Sequence, residues 1–184
     1  MNAATDTSGL QLDLGCGPRK AEGYQGCDRL ALPGVDHVFD IGKARWPFAD
    51  NSVAKARSSH FLEHLTSIER AHFFNELYRV LEPGALCQII TPHWASNRAY
   101  GDPTHQWPPV SEMTYIYLSK QWRLANAIHT DAQYWPQGYA CDFAVNLDYA
   151  LHPVLKDQPE DVKKNALLFN KEAAQDMVAI VKKL

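Results

Sequence analysis

Leu10-Gln11-Leu12-Asp13-Leu14-Gly15-Cys16-Gly17-Pro18 is the stretch from which the rest of the chain can be read. A short apolar run ending on two glycines predicts a buried strand and then a tight turn, where backbone can approach a ligand closely. Moving outward, residues 24–28, 36–41 and 52–58 read as further strands, the last preceded by a loop at 47–51. Thr66-Ser67-Ile68-Glu69 has the capping-box form. Phe73, Leu77, Val80 and Leu81 then recur on one helical face until Pro83-Gly84 stops the segment. Residues 86–91 follow as an apolar, β-prone run. Strand, helix, strand with short links is the pattern of a right-handed parallel crossover, so an open α/β sheet is expected.

Residues 92–138 are rich in Trp, Tyr, Pro and His with weak periodicity, which predicts irregular segments and short helices over one sheet edge. Beyond them, residues 140–151 alternate as a long strand. Residues 159–170 suit a helix with Pro159 in its first turn, and 176–182 resemble a closing strand.

The 184 residues, 46% hydrophobic, suffice for one sizeable core and suggest one domain over 1–184, with residues 1–9 a flexible arm. A formal charge of -3 gives no global attraction for phosphate backbones or anionic membranes, so no nucleic acid or membrane partner is expected. Cys16, Cys27, Cys87 and Cys141 form no CxxC pair, and the small polar N-terminus carries no apolar leader. No run approaches the roughly 18 apolar residues of a membrane span. A cytoplasmic location is the expectation; the oligomeric state is open.

In an open parallel sheet, ligands bind beyond the carboxyl ends of the strands, where Gly15 to Gly17 should stand. The third glycine of a dinucleotide fingerprint is absent, because Pro18, Arg19 and Lys20 follow, so NAD and FAD are disfavoured. Asp28 is placed to accept hydrogen bonds from two ribose hydroxyls, and Asp40 to face an adenine edge. Either acid alone fits a loop cap equally well, and the glycines a simple turn.

Taken in order, these parts resemble the class I S-adenosylmethionine-dependent methyltransferases. Leu12 to Gly17 looks like their motif I, Asp28 the acid after the second strand, and Asp40-Ile41 the adenine-side pair. Trp46-Pro47-Phe48-Ala49-Asp50-Asn51-Ser52 is similar to the stretch before their fourth strand, His60-Phe61-Leu62-Glu63-His64-Leu65 to the segment after it, and Tyr78-Arg79-Val80-Leu81-Glu82-Pro83-Gly84 to their Pro-Gly turn. The resemblance covers residues 10–92. Gly101-Asp102-Pro103-Thr104-His105 looks like an element of a subset of bacterial and phage members. The resemblance implies a Rossmann-like sheet of about seven mostly parallel strands with an antiparallel last strand. It implies S-adenosylmethionine bound by Asp13, Gly15, Cys16, Gly17, Asp28, Asp40, Ile41 and His60, and a small-molecule acceptor under a lid at 92–138. Ten residues separate Gly17 from Asp28, too few for three helical turns and their loops, so the first helix must be shortened.

Methyl transfer from a sulfonium is an in-line displacement, and a base is needed only where the acceptor loses a proton. His60, Glu63, His64, His93, Asp102 and His105 are the candidates, with His93, His105 and Asp102 favoured as catalytic. His60-Phe61-Leu62-Glu63-His64 also spells the H-x-x-E-H zinc motif. That chemistry needs both histidines inside one long helix, whereas here a strand ends before His60 and a capping box opens at Thr66, so no metal is expected. Trp94, Tyr100, Trp107, Tyr115, Tyr117, Trp122, Tyr134 and Trp135 could stack an acceptor but read more readily as packing. The shortened crossover, and the lack of an Asn/Asp-Pro-Pro-aromatic tetrapeptide, leave open a binding or regulatory module on the same fold. A nucleoside-binding enzyme of other chemistry is a further possibility.

Overall fold

The computed structural model describes residues 9–127 and 138–184. Residues 1–8 of the expected flexible arm over 1–9, together with Tyr134 and Trp135, lie outside the described residues. Strands β1 (Leu10–Leu14), β2 (Gln25–Asp28), β3 (His37–Val38) and β4 (Val53–Ser59) precede helix α1 (Ser67–Val80) and strand β5 (Leu81–Pro92). Short helices α2 (Glu112–Ile116) and α3 (Lys120–Asn126) come next, then β6 (Phe143–Leu151), α4 (Glu160–Phe169) and β7 (Ala174–Lys183). They form one seven-stranded sheet in the order β3-β2-β1-β4-β5-β7-β6, parallel except for β7, which runs antiparallel to both neighbours. This is the class I methyltransferase fold.

The capping box forms as its sequence predicts. Thr66 Oγ1 accepts from Glu69 N, and the Glu69 carboxylate accepts from Thr66 N at 2.8 Å. The buried face of α1 carries Phe73, Phe74, Leu77 and Val80, packed with Trp46, Leu12 and Leu14. Trp46 meets Phe73 edge-on at 5.5 Å, and Phe74 meets Tyr115 at 6.2 Å, so Tyr115 is core as its packing reading requires. Trp107 is 78% exposed and Tyr100 56%. Core truncation at such a phenylalanine typically costs about 3–5 kcal/mol.

Several boundaries differ from expectation: α1 ends at Val80, and β5 begins at Leu81 rather than 86 and takes in Pro83-Gly84. The third strand is two residues rather than 36–41, because the Asp40 carboxylate and carbonyl accept from Gly42, Lys43 and Ala44 N, turning the chain away. Pro159 is the N-cap of α4, one residue outside it. The chain enters β6 only at Phe143, after the Asp142 carboxylate accepts from Lys120 N.

The first crossover carries no helix at all. Residues 15–24 return in turns held by Asp13 Oδ2, which accepts from Ala21 N at 2.8 Å. The shortcut brings backbones so close that a Cβ on Gly26 would lie 2.5 Å from the Gly34 carbonyl and 2.8 Å from Cys16 Sγ.

Candidate functional site

At the carboxyl ends of β1, β2 and β4 lies a cavity of about 580 Å³, bordered by Gly17, Asp28, Asp40, Ile41, Phe61 and His64 among others. That size suits a nucleoside-bearing ligand. Asp28 Oδ2 accepts from Gly17 N at 3.0 Å and Oδ1 from Leu30 N at 3.1 Å. The carboxylate is thereby fixed in orientation, and each oxygen keeps a second lone pair for a ligand donor.

The turn is glycine by necessity. Gly15 has φ +73°, and a Cβ there would fall 2.2 Å from Cγ of Phe61. Phe61 follows His60, a non-glycine residue with φ +53°. Backbone strain of this kind, at the end of a parallel strand, aims the next side chain back over the turn.

Not every residue expected at the ligand lines this cavity. Asp13 is 2% exposed and pairs with Arg57, its register partner on β4, at 2.8 Å, so it ties β1 to β4. Cys16 Sγ is directed to the Gly17 carbonyl, and burial together with Asp13 and Asp28 pushes its thiol up to about 11. Lys20 pairs with Asp36 at 2.6 Å and holds that carboxyl below its ordinary range.

His60 borders a second cavity of about 590 Å³ with Glu63, His64, Arg98, Asp102 and His105. His64 lines both cavities, and the arm at residues 102–106 is the wall between them, since Thr104 and Gln106 line the first. The GDPTH stretch forms a self-bonded turn in which Asp102 Oδ1 accepts from Thr104 N at 2.8 Å and Thr104 Oγ1 at 2.6 Å. These two bonds hold the exposed Asp102 carboxyl below its ordinary range. Donation from Nδ1 to the Glu63 carboxylate, 3.4 Å away, raises His60 above its ordinary value against the opposing effect of burial.

Arg70 anchors the arm. Its guanidinium, 3% exposed, donates to the carbonyls of Leu62 at 3.1 Å, Pro108 at 2.6 Å and Gln106 at 3.2 Å, while Gln106 N donates to the Glu63 carbonyl. Composition gives no hint of this, but position does. Arg70 sits three and four residues before Phe73 and Phe74 on the apolar stripe of α1, and a cation there must find buried acceptors.

His93 is not with His105. The β5–β7 ladder runs on to Pro92, and His93 N donates to the Gln175 carbonyl, which carries the side chain to a third cavity beside Tyr149 and Lys164. His93 Nδ1 accepts from Ala95 N, so Nε2 bears the proton it donates to Glu112 at 2.9 Å. The bond from His93 holds the Glu112 carboxyl down at about 2, with Trp94 Nε1 donating to its other oxygen. A depressed carboxyl stabilises the fold above its unfolded pKa and loses that contribution as pH falls. The melting-temperature gap between the wild type and Glu112→Gln should therefore be widest above about pH 4.5 and close as pH approaches 2. A gap that does not change with pH would refute this link.

Residues 28–89 match the family model described as a methyltransferase domain. No curated protein matches the sequence. Among solved structures, an S-adenosylmethionine-dependent methyltransferase of Archaeoglobus fulgidus superposes with TM-score 0.63 at 19% identity, over 96% of this chain and 87% of its own. Geranyl diphosphate C-methyltransferase of Streptomyces coelicolor A3(2), in complex with Mg²⁺, geranyl diphosphate and S-adenosylhomocysteine, gives 0.55 at 13%, over 96% and 74%. An S-adenosylmethionine-dependent methyltransferase of Mesorhizobium loti gives 0.52 at 16%, over 96% and 91%.

Proposed function

We propose that this chain is a class I methyltransferase, a reading supported by its fold and by the family match over residues 28–89, and that it binds S-adenosylmethionine in the 580 Å³ cavity and methylates a small-molecule acceptor held in the adjoining one. The observation that carries this is Asp28, fixed by Gly17 N and Leu30 N at the end of β2, where its free lone pairs meet the ribose hydroxyls. Asp40 and Ile41 flank the adenine, and Gly17 gives the backbone its close approach.

The reaction asks little of the protein beyond alignment. The acceptor atom attacks the methyl carbon, the C–S bond breaks, and its electron pair returns to sulfur, giving the thioether product. The junction of the two cavities at His64 and Thr104 is where methyl and acceptor would meet. For an acceptor that loses a proton, His60 held by Glu63, and His105 near Asp102, are the imidazoles on that side. Both ring nitrogens of His93 are engaged, and we assign it to holding the end of β5.

Calorimetric titration with S-adenosylhomocysteine tests the cofactor half. Asp28→Ala should lose roughly 1.5–3 kcal/mol of binding, about ten- to hundredfold in Kd. Unchanged affinity would sink the assignment. Transfer of a labelled methyl group to members of an acceptor panel tests turnover, and binding without transfer would favour a regulatory module.

A further inference from the structure

We propose that Glu63, His64 and His105 form a binding site for one divalent transition-metal ion of the zinc class, with its open coordination positions facing the 590 Å³ cavity. One carboxylate oxygen and one nitrogen from each ring lie within 4.8 Å of one another. In a tetrahedral site such atoms stand roughly 3.4 Å apart, so modest side-chain rotation closes the set on an ion.

The surroundings prepare the donors. Glu63 is 4% exposed and lines the cavity, and its Oε2 is buried with no hydrogen-bond partner among the described residues. A buried acceptor left in that condition is costly unless something binds it. The tautomers of both histidines follow from their partners. Thr104 has one hydroxyl proton and gives it to Asp102, so Thr104 Oγ1 accepts from His64 Nδ1 at 2.9 Å, and His64 Nε2 carries a lone pair. His105 Nδ1 lies 3.1 Å from the Ala99 carbonyl, which can only accept, so in the neutral ring the lone pair falls likewise on His105 Nε2. Asp102 Oδ2 stands 4.0 Å from that nitrogen, beyond hydrogen-bond reach. Orienting the second ring nitrogen through a carbonyl or a hydroxyl–carboxylate pair is how metal-binding imidazoles are held. The self-bonded GDPTH turn thus has a purpose: its Thr104 and Asp102 set one ligand and it presents the other.

Two imidazoles and one carboxylate suit zinc, cobalt or ferrous iron better than magnesium or calcium, which prefer oxygen donors alone. Arg98, at the cavity rim, is paired with Asp176 at 2.8 Å. His60 remains outside the set. This is not the H-x-x-E-H arrangement, because Leu62–His64 is a single 3-10 turn and His60 precedes it. The third ligand comes from the arm that Arg70 anchors, so spacing alone could not reveal it.

Tag-free protein, stripped with a chelator, is titrated with Zn²⁺ and with Mg²⁺ by calorimetry, and its Co²⁺ form is read by visible absorption. One saturable equivalent of Zn²⁺, preferred over Mg²⁺, is expected. His105→Ala should weaken it about a hundredfold and Thr104→Val about tenfold, with His152→Asn unchanged. No saturable binding, or binding indifferent to His105→Ala and Thr104→Val, overturns the site. S-adenosylhomocysteine titration of the same proteins reports folding. It also separates this proposal from the cofactor assignment, since wild type that binds the nucleoside and no zinc refutes the metal site alone.

Discussion

Arg57→Met is expected to lower stability by roughly 3 kcal/mol, near the lower end for removing one partner of a buried ion pair because the guanidinium side chain keeps 24% of its exposure. Asp13 stays behind with a side chain only 3% exposed, and Oδ2 retains Ala21 N as its remaining close donor. The penalty is the stranded charge rather than the lost attraction. The double variant Asp13→Asn with Arg57→Met should accordingly recover a large part of the loss. In a chain of this size the single variant melts roughly 6–12 °C lower. A drop of under about 3 °C, or a double variant no better than the single, would show that water reaches Asp13. Affinity for S-adenosylhomocysteine should fall as well, since Asp13 holds the turn that leads from Gly17 to β2.

Arg70→Met carries a comparable cost, roughly 3 kcal/mol, by a different route. The methionine fills the space of the aliphatic stem but leaves several carbonyls without their donor, each worth about 1–3 kcal/mol where water cannot reach. Gln106 and Pro108 lie near the surface and can be rehydrated, so the lasting loss sits at Leu62 and Glu63. The arm from 102 to 108 should then loosen from α1, and zinc affinity should fall along with melting temperature. Arg70→Lys, with three donors on one nitrogen in place of a planar fork, should restore only part of either. Equal stability of wild type and Arg70→Met in thermal melts would remove Arg70 as the anchor.

Elements defined by local chemistry were legible from sequence. The strand before Gly15 and the capping box at Thr66 each rest on residues a few positions apart, and each forms as read, whereas the helix ends at Val80 and Pro83-Gly84 lie within β5. That Asp28 borders the cavity was legible too, because a strand end in a parallel sheet fixes which way the next residue faces, and Asp40 borders it from the turn after the shorter β3. What escaped was whatever long-range pairing decides. His93 and His105 look alike as histidines after the fifth strand. The continuation of β7 along β5 to Asp176 turns His93 to the far side. Asp13 appeared to belong with its glycines, yet its partner is forty-four residues away at the matching register on β4. The convergence of Glu63, His64 and His105 depends on an arm whose path is set by a buried arginine, and no local pattern encodes it.

Arg70 grips the wall between the two cavities by backbone oxygens alone. A carbonyl is present whatever the side chain, so the anchor places no demand on the identity of residues 62, 63, 106 or 108. Substitution of Glu63 can redraw the lining of the acceptor side, and of Gln106 that of the cofactor side, while the path of the chain stays as it is. A scaffold held in this way can drift toward new acceptors by point changes without first loosening, and the constraint on that drift falls on one position of α1 rather than on the surface that meets the ligand.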